Sequence, residues 1–217
     1  MPTIFVSPLT GTDLINALKT QGFTVSFTTA AKNLHPSVAA HPDMLMCKLG
    51  AQPESPVIFA DTSKLKPEYP GDALYNALCL DKYFVHRLDI TAPELLEKVF
   101  STGLKPINVR QGYAKCSSVV VDGKSIITAD NGVASVLEKL PDVDVLRVQP
   151  GHVKLIGFGT GFIGGASGRI GNEIWFNGDI TAHPDWPEIK DFIESRQLGI
   201  RRFDYELEDV GSLIECG

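Results

Sequence analysis

The sequence holds little from which a metal centre, a disulfide scaffold or a membrane span could be built. It has 4 cysteines in 217 residues, Cys47, Cys79, Cys116 and Cys216, and no Cys-x-x-Cys pair, so the spacings of a zinc site and of a disulfide framework are both missing. The histidines number 5 and no third ligand joins any His/Asp pair at suitable spacing. Neither a metal nor any other cofactor is expected. The longest uncharged stretch, Leu155 to Gly168, is broken by glycines and is too short to cross a bilayer. Met1 to Pro8 lacks the positive region and the long apolar run of an export signal. A surplus of positive charge is missing as well: 20 Lys and Arg face 26 Asp and Glu, a formal net charge of −6. That argues against nucleic-acid binding by phosphate neutralisation, while leaving room for a local basic pocket. No nucleic-acid or membrane partner is expected, and a reducing cytoplasm is the default compartment.

What is present suits one domain spanning residues 1–217. Hydrophobic residues make up 43% of the chain, enough for a core, and 20 glycines with 14 prolines point to short elements and tight corners. Five stretches carry helix signals: Thr10–Gln21, Tyr69–Lys82, Thr91–Ser101, Asn131–Leu140 and a segment opened by Asp185. Thr10 with Asp13, Thr91 with Glu94, and Asp185 with Glu188 have the spacing of capping boxes. Short β-rich runs lie between them, among them Met44–Leu49, Tyr83–Leu88, Ser117–Val121, Ser125–Thr128, Val153–Ile156, Glu173–Phe176 and Glu208–Glu215. Asp122-Gly123 and Asn177-Gly178 are hairpin-turn signals, since both pairs tolerate positive φ. The order hairpin, helix, strand therefore occurs over Ser117–Val148 and again over Glu173–Phe203, with turns about 55 residues apart and a mean unit of roughly 43. A unit of three strands and a helix cannot bury both faces of its sheet alone. Five such units predict an α/β propeller-like ring of ββαβ units, the last strand completing the first unit beside Ile4–Ser7; a two-lobed α/β protein is the alternative.

The unit pattern, His41-Pro-Asp43 and Gly112-Tyr-Ala-Lys-Cys116-Ser-Ser118 together resemble the pentein, or guanidine-group-modifying enzyme, superfold. That superfold includes deiminases, dihydrolases, amidinotransferases and the non-catalytic translation initiation factor six. Residues around His41–Met44, Tyr69–Asp72, Gln111–Cys116 and Phe162–Gly165 are also similar to an uncharacterised bacterial family of that fold. The resemblance implies a cysteine-dependent hydrolase or transferase acting on a guanidino or amidino small molecule. Cys116 would be its nucleophile, His41 its proton relay, Asp43 with Glu208 or Asp209 its cation ligands, and Gly112, which opens the cysteine motif, a further substrate-binding residue. The alternative within the same fold is a non-catalytic binding or assembly protein similar to translation initiation factor six. Against the family pattern the cysteine lies mid-chain, Asp209-Val-Gly211 keeps one glycine of a pair, and Ile163 stands where a carboxylate is expected.

Each candidate has a plainer reading. Cys116 beside Lys115 could be held partly as thiolate, or could be a buried strand residue; Cys47 and Cys79 read as packing, and Cys216 lies near the chain end. His183, ahead of a helix cap, and His86, in a β-rich run, read as structural. Gly159-Thr-Gly161-Phe-Ile-Gly164 matches a dinucleotide fingerprint, but the residues that follow predict no helix to meet a pyrophosphate. A loop whose glycines let backbone approach the centre is expected there.

Overall fold

The computed structural model describes residues 1–217, which form fourteen short strands and five α-helices. β1 (Thr3–Val6), α1 (Thr12–Thr20) and β2 (Thr24–Phe27) lead to a one-turn helix, α2 (Pro42–Leu45), and to β3 (Met46–Lys48) and β4 (Val57–Phe59). Next come β5 (Leu78–Cys79), β6 (Tyr83–His86), α3 (Pro93–Thr102) and β7 (Lys105–Asn108). They are followed by β8 (Ser118–Val120), β9 (Ser125–Thr128), α4 (Asn131–Leu137) and β10 (Asp144–Arg147). β11 (Ser167–Ile170), β12 (Glu173–Phe176), α5 (Trp186–Glu194), β13 (Gly199–Arg201) and β14 (Ile214–Cys216) complete the chain.

The strands make five small sheets, ordered β14-β1-β2, β3-β4, β5-β6-β7, β8-β9-β10 and β11-β12-β13. Four share one wiring, an antiparallel pair followed by a parallel third strand. A parallel partner requires a crossover, and a helix supplies it each time. In the first sheet the antiparallel partner of β1 is β14, with Ile4 opposite Glu215. The chain is therefore a mixed α/β structure of small sheets.

Apolar residues three and four apart put each of the longer helices onto its own sheet. Leu14 and Leu18 of α1 meet Ile4 and Val6; Leu95 and Val99 of α3 meet Phe84; Val133 and Leu137 of α4 meet Ile126; Ile189 and Ile193 of α5 meet Ile174 and Phe176. The core falls into four clusters, each joining residues of two sheets. On the other side the leading strands abut, β14 beside β11, β11 beside β8 and β8 beside β5. A narrow cavity of about 50 Å³ is lined by Cys47 of β3, Cys79 of β5, Val120 of β8, Arg169 of β11 and Glu215 of β14, one strand from every sheet.

Several local expectations are corrected. Tyr69–Lys82 is not a helix: it forms turns, with Ala73 N–H bonded to Pro70 O and Asn76 N–H to Ala73 O, and ends in β5. Pro70 and Gly71 interrupt the helical pattern there, and the asparagine is used elsewhere. Asp43, expected just ahead of a strand, lies inside α2. The expected strand Val153–Ile156 makes only isolated bridges, Lys154 with Glu208 and Leu155 with Phe158. The hairpin ahead of α5 turns at Gly171-Asn172 rather than Asn177-Gly178, because β12 pairs with β11, a strand the periodicity missed. None of the three capping boxes forms. Thr91 instead bonds His86 Nδ1, and the Asp185 carboxylate accepts from the backbone and side chain of Gln149. The side-chain cap that does form is Asp130, which accepts from Val133 N–H at 2.8 Å.

Asp130→Ala should lower stability by about 1–2 kcal/mol, the usual loss for a capping side chain, read as a lower midpoint in urea denaturation with an unchanged slope.

Candidate active site

The site forms where four chain segments meet. The first is the turn from Tyr113 to Ser118, closed by Ser117 N–H to Tyr113 O at 3.0 Å and Ser118 N–H to Lys115 O at 3.1 Å. Asn76 holds that turn: its Oδ1 accepts from the N–H of Lys115 and of Cys116, both at 3.0 Å, and its Nδ2 donates to Cys116 Sγ at 3.2 Å. The third segment is His41-Pro42-Asp43, whose proline starts α2 and whose Asp43 N–H bonds Gly211 O at 3.0 Å. The fourth is Asp209 to Ser212.

At the junction Cys116 Sγ donates to Asp43 Oδ2 at 2.9 Å, and Ser212 Oγ donates to the same oxygen at 2.6 Å. Lys115 Nζ donates to Ser212 Oγ at 2.9 Å, so the one nearby ammonium reaches Asp43 through a hydroxyl. Asp43 is fully buried, and its Oδ1 has no partner. His41 Nε2 is also buried without a partner, while His41 Nδ1 lies 3.8 Å from Asp209 Oδ1. Asp209 accepts from the N–H of Phe162 at 2.9 Å and of Gly211 at 3.0 Å.

Two glycines make this approach possible. Gly211 has φ +81°, and a Cβ there would lie 2.1 Å from His41 Cβ. A Cβ on Gly165 would lie 2.0 Å from Asp209 Oδ1. Only a residue without a side chain fits either place.

Burial controls the charges. It pushes the Cys116 thiol well up, and the negative charges of Asp43 and Asp209 push the same way. Both causes work against a thiolate at rest, and so against the reading in which Lys115 holds Cys116 partly ionised. Burial lowers Lys115, with Asp43 opposing. Burial also lowers His41, again against Asp43, so the 3.8 Å approach of its Nδ1 to Asp209 is disfavoured as an ion pair. Asp209 is raised to about 7, first by burial and then by the charge of Asp43.

Cys116, His41 and Asp209 open together on a cavity of about 470 Å³, also lined by Asp72 and the rings of Tyr113 and Phe162; Asp43, fully buried, does not line it. Of the other sequence candidates, Glu208 does not line this cavity, and Gly112 contributes its carbonyl to His86 Nε2 at 2.9 Å. His86 and His183 have both ring nitrogens within hydrogen-bond distance of partners, as structural histidines do. The glycine-rich segment is followed by β11 rather than a helix, and Thr160 and Phe162 border the cavity. Asn76, Ser212 and Asp72 were not anticipated; only the placement of Asp72 after Tyr69-Pro-Gly gave a signal.

Residues 54–214 match a family of unknown function, DUF6873. The chain belongs to that family. Asp72, Cys116 and Asp209 lie inside the matched region, and His41 and Asp43 precede it. No curated protein and no solved structure matches the chain.

Because Asp209 binds its proton more tightly folded than unfolded, it favours the native state below pH 4 and loses that contribution as pH rises toward about 7. Stability measured by denaturation from pH 4 to 8 should therefore fall more steeply with pH in the parent than in Asp209→Asn. Parallel curves would contradict the raised carboxyl.

Proposed function

We propose that this chain is a pentein-type ring of five units and a cysteine-dependent hydrolase for a guanidino or amidino small molecule. The five sheets, the wiring common to four of them, and the narrow cavity lined by one strand of each support the ring. The observation that carries the activity is that Cys116, bonded to Asp43 at 2.9 Å, and His41, with a free ring nitrogen, face one cavity.

A guanidinium is planar and cationic, and carboxylates grip it through paired N–H donors. Asp209 lines the cavity and supplies such a grip, while Asp43, bonded to Cys116, adds negative charge beside it. The bound cation offsets the negative charge that keeps Cys116 protonated, so binding itself favours the thiolate. Cys116 Sγ then adds to the guanidinium carbon as its proton passes to His41. His41 returns that proton to the leaving nitrogen, the C–N bond breaks, and ammonia or an amine departs, leaving an amidino group on sulfur. Water adds to the carbon and gives one proton to His41; as the C–S bond breaks His41 passes that proton to sulfur, restoring the thiol, and the second proton of the water leaves the new C=O for solvent. An amine in place of water would make the same site a transferase.

A panel of arginine, methylated arginine, alkylguanidines and creatine-like compounds, assayed for ammonia and ureido products, tests this. Cys116→Ser should abolish turnover while leaving ligand affinity within about threefold, and Asp43→Asn should weaken binding at least tenfold. No turnover across the panel, with a Cys116 that iodoacetamide does not label, would sink the enzyme.

A further inference from the structure

We propose that Cys47 and Cys79 are a modification site: a dithiol that hydrogen peroxide oxidises to a disulfide, joining β3 to β5 and tightening the cradle that holds Cys116. Neither thiol enters the guanidine chemistry, so the disulfide and that chemistry are independent.

The two sulfurs lie 3.8 Å apart, each on the leading strand of its own sheet. Both are buried, and both line the narrow cavity of about 50 Å³. Half-buried Lys48 and Arg169 carry that lining outward to solvent. Such a space holds only a few molecules the size of water, which admits hydrogen peroxide and excludes a thiol- or disulfide-bearing peptide. Burial, and then Cys47 beside it, push the Cys79 thiol well up, while Lys115, on the same lining, favours the thiolate. Oxidation is accordingly slow and calls for excess peroxide.

One sulfur, once ionised, attacks a peroxide oxygen. The O–O bond breaks, the departing hydroxide takes up the proton the thiol released, and a sulfenic acid remains. The second sulfur loses its proton and attacks the first; the S–O bond breaks, the S–S bond forms, and hydroxide leaves with that proton as water. Two thiols are oxidised, and one peroxide is reduced to two waters. Bonded sulfurs stand about 2 Å apart, so the pair must draw together from 3.8 Å.

The place of the pair in the chain gives the disulfide its consequence. Cys47 follows Asp43 by four residues, and Cys79 follows Asn76 by three. Asp43 accepts from Cys116 Sγ at 2.9 Å, and Asn76 donates to the same sulfur at 3.2 Å while accepting from the N–H of Lys115 and of Cys116. β3 and β5 belong to different sheets and share no ladder. A covalent bond between them restrains a separation that side-chain packing alone now resists, and opening of the Cys116 turn away from Asn76 becomes rarer.

The test uses protein carrying Cys116→Ser and Cys216→Ser, which leaves the pair as the only thiols. After excess hydrogen peroxide, mass spectrometry without reductant should find the chain lighter by two hydrogens and a peptide pair joined through Cys47 and Cys79. Dithiothreitol should reverse both. Amide hydrogen exchange at residues 115 and 116 should slow by about threefold or more on oxidation and recover on reduction. Adding Cys47→Ala should abolish both changes; oxidised and reduced samples of each protein are compared, so a cost of the substitution in stability does not obscure the result. Thiols that stay free, or that reach sulfinic acid without cross-linking, would overturn the disulfide. A disulfide that leaves exchange at 115 and 116 unchanged would overturn the tightening of the cradle. No substrate enters either measurement, so the guanidine reading stands or falls separately.

Discussion

A fully buried carboxylate, Asp43, joins the parts of the site. Burying such a charge is costly unless donors surround it, and the donors here come from far along the chain. Cys116 is 73 residues away and Ser212 is 169 residues away. Lys115 is kept at one remove, through the Ser212 hydroxyl. The arrangement leaves one carboxylate oxygen and one imidazole nitrogen unpartnered.

The small sheets explain how such distant groups are brought to one place. Each longer helix packs on its own sheet, and each of the four apolar clusters joins residues of two sheets. The leading strands, by contrast, pack on one another, and the segments that enter them carry the polar side chains: α2 enters β3, the Tyr113 turn enters β8, and Asp209 to Ser212 enters β14. Glycines at 165 and 211 let these entries approach more closely than any side chain would allow. The same crowding removes water, and the lost hydration is what raises Cys116 and Asp209 and lowers His41.

Much of the local structure could be read from residue spacing. The helical faces at Leu14 and Leu18, at Leu95 and Val99, and at Ile189 and Ile193 are buried as the periodicity requires. The Asp122-Gly123 turn does join two antiparallel strands. Some of the failures come from polar residues turned to partners outside their own element: Thr91 serves His86, Asp185 serves Gln149, and Asn76, in a stretch read as helix, serves a turn 40 residues later. β5 is two residues long and β11 contains a glycine, so neither carried a period that could be detected.

The sequence by itself determined the four longer helices, most strands and the motifs holding His41, Asp43 and Cys116, because these depend on side-chain spacing and on φ preferences within a few residues. Tertiary structure alone decided that Cys116 is a thiol given to a carboxylate, that Lys115 turns to Ser212, and that Asp72 rather than Glu208 lines the cavity. Those outcomes depend on which groups lose water together and which donors remain within reach. Neither quantity exists until the sheets have packed.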